Sequence, residues 1–264
     1  MPACYYLVMA VHGYFFVRML SCLFFFIVLI SFIGVSLGGA TALNDPSVQD
    51  VPSSPRSIRV ISYIEPSLVR DLERKGFAYG SPLFIRVFKE ERELELWLKR
   101  DGRFRLFRTY PVAAVSGWLG PKRWEGDLQA PEGFYSVAPS QMNPNSLFHL
   151  SFDIGYPNEY DRSQDRTGSA LMIHGSNTSL GCFAMTDEFM EEIYALADAA
   201  LRNGQGSFHV HSFPFRMTDE NMERHRNSRW YYFWTNLQIG YNLFEKTGLP
   251  PSVSVASGEY VFSN

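Results

Sequence analysis

Between Glu93 and Arg108 the chain alternates in a way that few short structures satisfy. In Glu93-Leu94-Glu95-Leu96-Trp97-Leu98-Lys99, leucine recurs at every second position, and a period of two puts all three leucines on one face of a strand. Asp101-Gly102 follows, a dipeptide that accepts the positive φ angles of a two-residue hairpin turn. Arg103-Phe104-Arg105-Leu106-Phe107-Arg108 then returns as the partner strand. A hairpin here commits the domain to β structure with one buried face. The charges on its other face read as solvated surface.

Around this hairpin the pattern predicts strands at Leu83–Lys89, Phe134–Val137, Leu147–Ile154, Ser169–Ile173 and Phe208–Phe213, with short strands at Val253–Val255 and Glu259–Phe262. The Leu147–Ile154 strand carries His149 in an apolar alternation, where a hydrogen-bonded core histidine is the simplest reading. Helical spacing predicts a short helix over Ser67–Lys75, with Leu68, Val69 and Leu72 inward. A longer helix follows Thr186-Asp187-Glu188, with Phe189, Ile193, Leu196, Ala197 and Ala200 as its apolar stripe and an end near Gly204. A polar helix follows Thr218. Trp230–Trp234 is aromatic in a helical context, which favours core packing over carbohydrate stacking. The expected class is β-rich α+β, with mixed sheets and flanking helices.

The chain has 264 residues, 46% of them hydrophobic, enough for a sizeable core in one domain. Its net charge of −3 provides no basic field for nucleic acid, so no nucleic-acid partner is expected. Met19–Leu37 is uncharged and apolar, preceded by Arg18 and followed by Ala40-Thr41-Ala42, the layout of an export signal cleaved after Ala42. An uncleaved inner-membrane anchor is the alternative, because the run approaches the length that spans a bilayer. Either way the rest of the chain lies outside the cytoplasm, in the periplasm. Asn44–Pro55 reads as linker. The expected organisation is therefore 1–42 signal or anchor, 43–80 linker and short helix, and 81–264 catalytic domain.

Three cysteines are present, and two of them, Cys4 and Cys22, fall in the N-terminal apolar segment. The exported domain then has a single thiol, Cys182, and no internal disulfide. A lone cysteine is usually a small buried hydrophobe. Here Gly181 precedes it, polar turn formers flank it, and His174 lies eight positions upstream in Ile173-His174-Gly175-Ser176-Asn177-Thr178-Ser179-Leu180-Gly181-Cys182. An imidazole that accepts the thiol proton supplies the thiolate that nucleophilic sulfur chemistry needs, so a depressed Cys182 pKa is expected.

This stretch resembles the active-site signature of the L,D-transpeptidase catalytic (YkuD) domain family, in its YafK-like branch. The resemblance runs from about Leu83 to the C-terminus and includes Gly120-Pro121-Lys122, Glu125-Gly126-Asp127, Pro131-Glu132-Gly133-Phe134-Tyr135 and His211–Thr218. It implies Cys182 as nucleophile and His174 as base, with Ser179 and Gly181 as the small residues leading into the cysteine. Leu180 departs from the pattern, since most members have a second histidine there. The substrate it implies is peptidoglycan, through stem peptides containing diaminopimelate, and a wall-linked outer-membrane lipoprotein is an implied partner. No cofactor and no metal are expected. Gly175 and Ser176 are expected to orient the imidazole through main-chain contacts, and backbone N–H groups near Gly181 and Cys182 to stabilise the oxyanion. The loop between Ser116 and Pro139, rich in Gly and Pro, resembles the segment leading to the substrate cleft. Lys122 or Arg123 is placed to pair with a substrate carboxylate, and Ser179 and His211 are assigned to the cleft lining.

Two other classes stay open. His209 and His211 are two apart on a strand, as a zinc hydrolase needs, although a third ligand at recognisable spacing is missing. A non-catalytic wall-binding protein is the third, against which the retention of both His174 and Cys182 argues. Within the enzyme reading, Leu180 and the short His174–Cys182 loop favour water over an amine as the second acceptor. A hydrolase is expected, with cross-linking or protein attachment as the alternative.

Overall fold

The computed structural model describes residues 50–263. The expected export segment, its Ala42 cleavage site, Cys4 and Cys22 lie outside the described residues. Among the described residues no helix is long and apolar enough to cross a membrane.

In chain order the elements are α1 (Pro55–Arg74), β1 (Leu83–Phe88), β2 (Glu93–Arg100), β3 (Arg103–Pro111), β4 (Ala114–Val115), β5 (Gly133–Val137), β6 (Met142–Asn143), β7 (Ser151–Asp153), α2 (Glu159–Ser163), β8 (Met172–His174), β9 (Phe183–Ala184), α3 (Asp187–Arg202), β10 (Phe208–Phe213), α4 (Asp219–Arg224), α5 (Tyr231–Thr247), β11 (Ser252–Ala256) and β12 (Glu259–Ser263). They form an α+β fold with two five-stranded sheets, ordered β3-β2-β1-β10-β5 and β4-β9-β8-β7-β6, and a separate β11-β12 hairpin. The pairs β1–β10 and β8–β9 are parallel, and the other pairs are antiparallel.

The predicted hairpin is β2–β3. Asp101 and Gly102 both adopt positive φ, 51° and 79°, which matches the turn to the right-handed twist of its strands. Leu94, Leu96 and Leu98 all enter the main core. The register shifts between Leu96 and Trp97, because Leu96 faces Arg108 while Trp97 faces Leu106, leaving Phe107 as the extra residue. This bulge turns β3 over. Phe104 packs with Phe84 and Phe244 beneath α5, whereas Phe107 and Tyr110 join the leucines on the opposite face.

The first helix is longer than its apolar spacing predicted, starting at Pro55 rather than Ser67. Ser54 and Ser57 cap each other's backbone N–H groups, at 2.9 and 3.1 Å, and Pro55 occupies the first helical position, where its missing N–H costs nothing. Leu68 and Leu72 are buried as expected and belong to the same core as the first sheet. Arg108 ties β3 to this helix through Asp71 at 2.9 Å and to α3 through Glu192 at 2.5 Å.

The second sheet departs further from expectation. The strand foreseen over Leu147–Ile154 is only Ser151–Asp153, because His149 adopts a φ of 68° and ends any extended run before Leu150. His149 therefore leaves the alternation, and its Nε2 meets Glu191 at 2.8 Å. Likewise Ala170, at φ 55°, keeps Ser169–Leu171 out of the predicted strand and delays β8 to Met172. Of the aromatic run before the C-terminus, Phe233 and Trp234 are core residues and Tyr232 is exposed.

Candidate active site

Alternation within the short strands sets the site. Phe152 and Ile173 face each other across β7–β8 and point into the core. Ser151, Asp153, Met172 and His174 therefore share the other face, the first paired with the last and the second with the third. Cys182 comes immediately before β9, the parallel neighbour of β8. Its thiol is covered by the start of β8 and the loop before it: the Met172 N–H donates to Sγ at 3.4 Å, and Sγ lies 3.8 Å from the Ala170 carbonyl.

His174 is 2% exposed. Its Nδ1–H donates to the Gly175 carbonyl at 2.5 Å, an assignment that leaves the lone pair on Nε2. Phe148 covers the imidazole, with ring centroids 4.7 Å apart. Only glycine fits at 175, since a Cβ there would stand 2.6 Å from Asp187 Oδ1 and 2.9 Å from the Phe148 carbonyl. Ser176, at φ 68°, donates its N–H to Asp187 Oδ1 at 2.7 Å and accepts the Thr186 N–H at 2.8 Å, which pins the loop to the start of α3. Ser179 Oγ donates to the Cys182 carbonyl at 2.7 Å and lies 3.3 Å from Ser116 Oγ. Leu180 points outward, 79% exposed.

Two expectations change here. Burial pushes the Cys182 thiol up from its ordinary value, with the Asp153 carboxylate adding to the effect; the Met172 N–H and the Lys122 ammonium act the other way without offsetting it. Burial also pulls His174 down, against the Gly175 carbonyl. The resting pair is thus a neutral thiol and a neutral imidazole, the opposite of the depressed thiol expected from their proximity in sequence. The Gly181 N–H, expected at the oxyanion position, donates to Ser116 Oγ at 2.6 Å.

The four residues assigned to substrate contact separate. Lys122 is buried and donates to Asp127 Oδ1 at 2.7 Å and the Trp124 carbonyl at 3.0 Å, so it holds its own loop. Arg123 is exposed, and Ser179 braces the cysteine backbone as described. His211 does not line the cleft. It is 1% exposed beneath α5, with Phe84 and Phe134 each 4.6 Å from its ring, and neither ring nitrogen has a hydrogen-bond partner among the described residues. His209 and His211 have no third partner for a zinc site: among the described residues no group of three or more His, Cys, Asp or Glu side chains is placed to hold a metal ion.

Three contributors escaped the sequence reading: Ser116, Phe148 and Asp153. Asp153 had a signal, since alternation through Phe152 sends its neighbours to the other face. Phe148 and Ser116 lie in irregular chain, where no period exists to read.

Cys182, just before β9, and the main-chain-oriented His174, at the end of the neighbouring β8, are the residue types that cysteine acyl transfer uses. The L,D-transpeptidase catalytic domain family matches residues 82–204. The chain is 47% identical over 191 residues to the protein YafK of Escherichia coli (strain K12), covering 72% of this chain and 78% of that one, and the same figures hold for its counterpart in Escherichia coli O157:H7. This chain belongs to the L,D-transpeptidase family, cysteine-dependent enzymes that act on peptidoglycan. Solved structures give looser likenesses. The helical cell shape determining protein Pgp2 from Campylobacter jejuni has a TM-score of 0.41 at 17% identity, covering 72% of this chain and 80% of that one. Bd1075 of Bdellovibrio bacteriovorus has a TM-score of 0.37 at 18% identity, covering 67% and 78%.

Proposed function

We propose that this protein is a periplasmic cysteine hydrolase of peptidoglycan stems, cutting an L,D-linked diaminopimelate amide such as one that tethers a lipoprotein to the wall. The observation that carries the reading is the pair of His174, oriented by Gly175 with Nε2 left as acceptor, and Cys182, its thiol at the head of the neighbouring strand.

With both groups neutral at rest, proton transfer accompanies attack. His174 Nε2 takes the Cys182 proton as the sulfur–carbon bond forms, and the carbonyl π electrons move to oxygen. The oxyanion takes the place of Ser116 Oγ at the Gly181 N–H, and Ser116 turns away or donates its own proton to it. His174 then gives the proton to the departing amine, the carbon–nitrogen bond breaks and a thioester remains. Water, deprotonated by the same imidazole, attacks the thioester and releases the acid and the thiol. Leu180 favours water as this acceptor, because it offers no polar group to order an amine.

One observation favours the transpeptidase reading. Phe148, packed on the imidazole, and Leu180, two residues from the cysteine, are exposed apolar side chains, able to seat an acceptor chain and thin out competing water. Product analysis separates the two. The full-length protein, wild type and Cys182→Ala, is incubated with wall sacculi carrying bound protein, and the products are identified by mass spectrometry. Released protein and free stems made only by the wild type are expected. New diaminopimelate-to-diaminopimelate cross-links would replace the hydrolase with the transferase. Export is checked on the same preparation, since envelope-derived protein should begin at Leu43.

A further inference from the structure

Outside the thiol site, a groove of about 500 Å³ brings together two arginine–tryptophan pairs from distant parts of the sequence. Arg123 and Trp124 come from the loop before β5, and Arg229 and Trp230 from the turn before α5. In each pair the guanidinium lies over its neighbour's ring, at 5.1 Å for Arg123 and 4.7 Å for Arg229. Stacking engages the flat face of the guanidinium and leaves its in-plane fork of N–H donors for a planar oxyanion. Neither side chain donates to a carboxylate or carbonyl among the described residues. Arg86, Arg108, Arg166 and Arg216, by contrast, are all paired with acids. Arg166 also lines the groove, but Asp161 neutralises it at 2.8 Å. Asp165 is the one unpaired acid on the lining, so two free cations face one carboxylate.

A short run of chain leads from the groove to the thiol, starting at Arg166 on the lining. The Thr167 N–H donates to the Arg123 carbonyl at 3.0 Å, and the Thr167 hydroxyl accepts the Glu125 N–H at 3.2 Å. Three residues further on, the Ala170 carbonyl contacts Cys182 Sγ. From Arg166 on the lining to Ala170 the chain spans at most about 14 Å, within reach of a short extended peptide.

We infer that this groove is a carboxylate subsite for an acidic peptide donor whose scissile carbonyl lies at Cys182, with Arg123 and Arg229 as its two ligating side chains. The inference rests on the stem-peptide reading above and names the part of the protein that recognises the stem. Phosphate could use the same fork, but a short acidic peptide also matches the spacing to the thiol.

The test is binding without turnover. Full-length Cys182→Ala protein is titrated with soluble tripeptide stem fragments released from wall, and with the same fragments after amidation of their carboxylates. Changing both Arg123 and Arg229 to Gln should weaken binding of the acidic stem about tenfold or more, as expected for charge-assisted hydrogen bonds. Amidation should cost a similar factor in the parent and little further in the double variant. The double Lys variant should recover part of the loss. An unchanged thermal midpoint excludes misfolding as the cause. Equal binding by parent and double variant, a full amidation penalty retained without the arginines, or no binding by the parent would each overturn the subsite. Arginine-dependent sedimentation with phosphatidylglycerol vesicles, alongside arginine-independent stem binding, would reassign the groove to lipid phosphate. Arginine-dependent stem binding by a chain that neither cuts nor cross-links sacculi would refute the reaction and leave the subsite standing.

Discussion

Two ionisable pairs of this domain, Lys89–Glu132 and His174–Cys182, are treated in opposite ways. Lys89 and Glu132 are buried and saturated. The ammonium donates to the Gly120 and Ala130 carbonyls and to Glu132, at 2.8, 2.9 and 3.0 Å, and Glu132 also accepts the Gly120 N–H at 2.7 Å and the Trp234 indole at 2.8 Å. His174 and Cys182 are desolvated as well, yet each has few partners and neither is held in its charged form. A saturated pair fixes geometry, here the two ends of the loop that flanks the cleft. A sparsely bonded pair keeps its protons movable, which is what acid–base and nucleophilic chemistry requires. His211 shows that sparse bonding alone is not enough, because its ring is sealed among phenylalanines and meets no substrate.

Variants that exchange the two behaviours break the comparison most sharply. Cys182→Ala should abolish turnover, a loss of at least about 10⁴-fold measured as stem release, with an unchanged thermal midpoint. Retained turnover would remove the cysteine from the chemistry. Gly175→Ala should follow, because its methyl group displaces Asp187 or the Phe148 backbone and with them the imidazole. A loss of about 100-fold in kcat, with KM little changed, is the expected reading from steady-state kinetics.

Lys89→Ala should act the other way. It leaves the Glu132 carboxylate buried without its cation, at a cost of about 3–5 kcal/mol in denaturant unfolding, while any folded fraction keeps its thiol reactivity. The smallest effect is at His211. Burial holds its pKa well below the ordinary value, so the folded state stays neutral where the unfolded chain takes up a proton. Stability should therefore fall as pH drops through the unfolded value near ~6.5. His211→Leu should flatten that part of the profile, with His174 and His209, whose pKa values burial also lowers, retaining a dependence of the same sign.

How much of this was legible in the sequence follows from where periodicity exists. The β2–β3 hairpin announced itself because Asp101-Gly102 and the leucine alternation agree at two levels. The His174–Cys182 stretch stood out through residue type and resemblance. The start of α1 was hidden because Asn44–Pro55 read as linker and the apolar spacing begins only at Ser67, although Pro55 starts the helix and Pro66 lies within it. The second sheet was blurred because His149 and Ala170 adopt positive φ without being glycine, which residue type does not signal. The state of the thiol was misjudged for a different reason. Eight positions of separation say nothing about burial, and burial decides it. The groove between Arg123 and Arg229 needed the fold to bring two distant arginines together.

The central claim is that Cys182 rests as a desolvated thiol and is activated by His174 only during attack. Its most direct test is the alkylation rate of Cys182 against pH, in the wild type and in His174→Ala. The account predicts a single rise with its midpoint above the ordinary thiol value of ~8.5, little altered by the histidine substitution, together with loss of stem release in that variant. A reactive plateau at neutral pH that disappears in His174→Ala would show a preformed thiolate–imidazolium pair and contradict it.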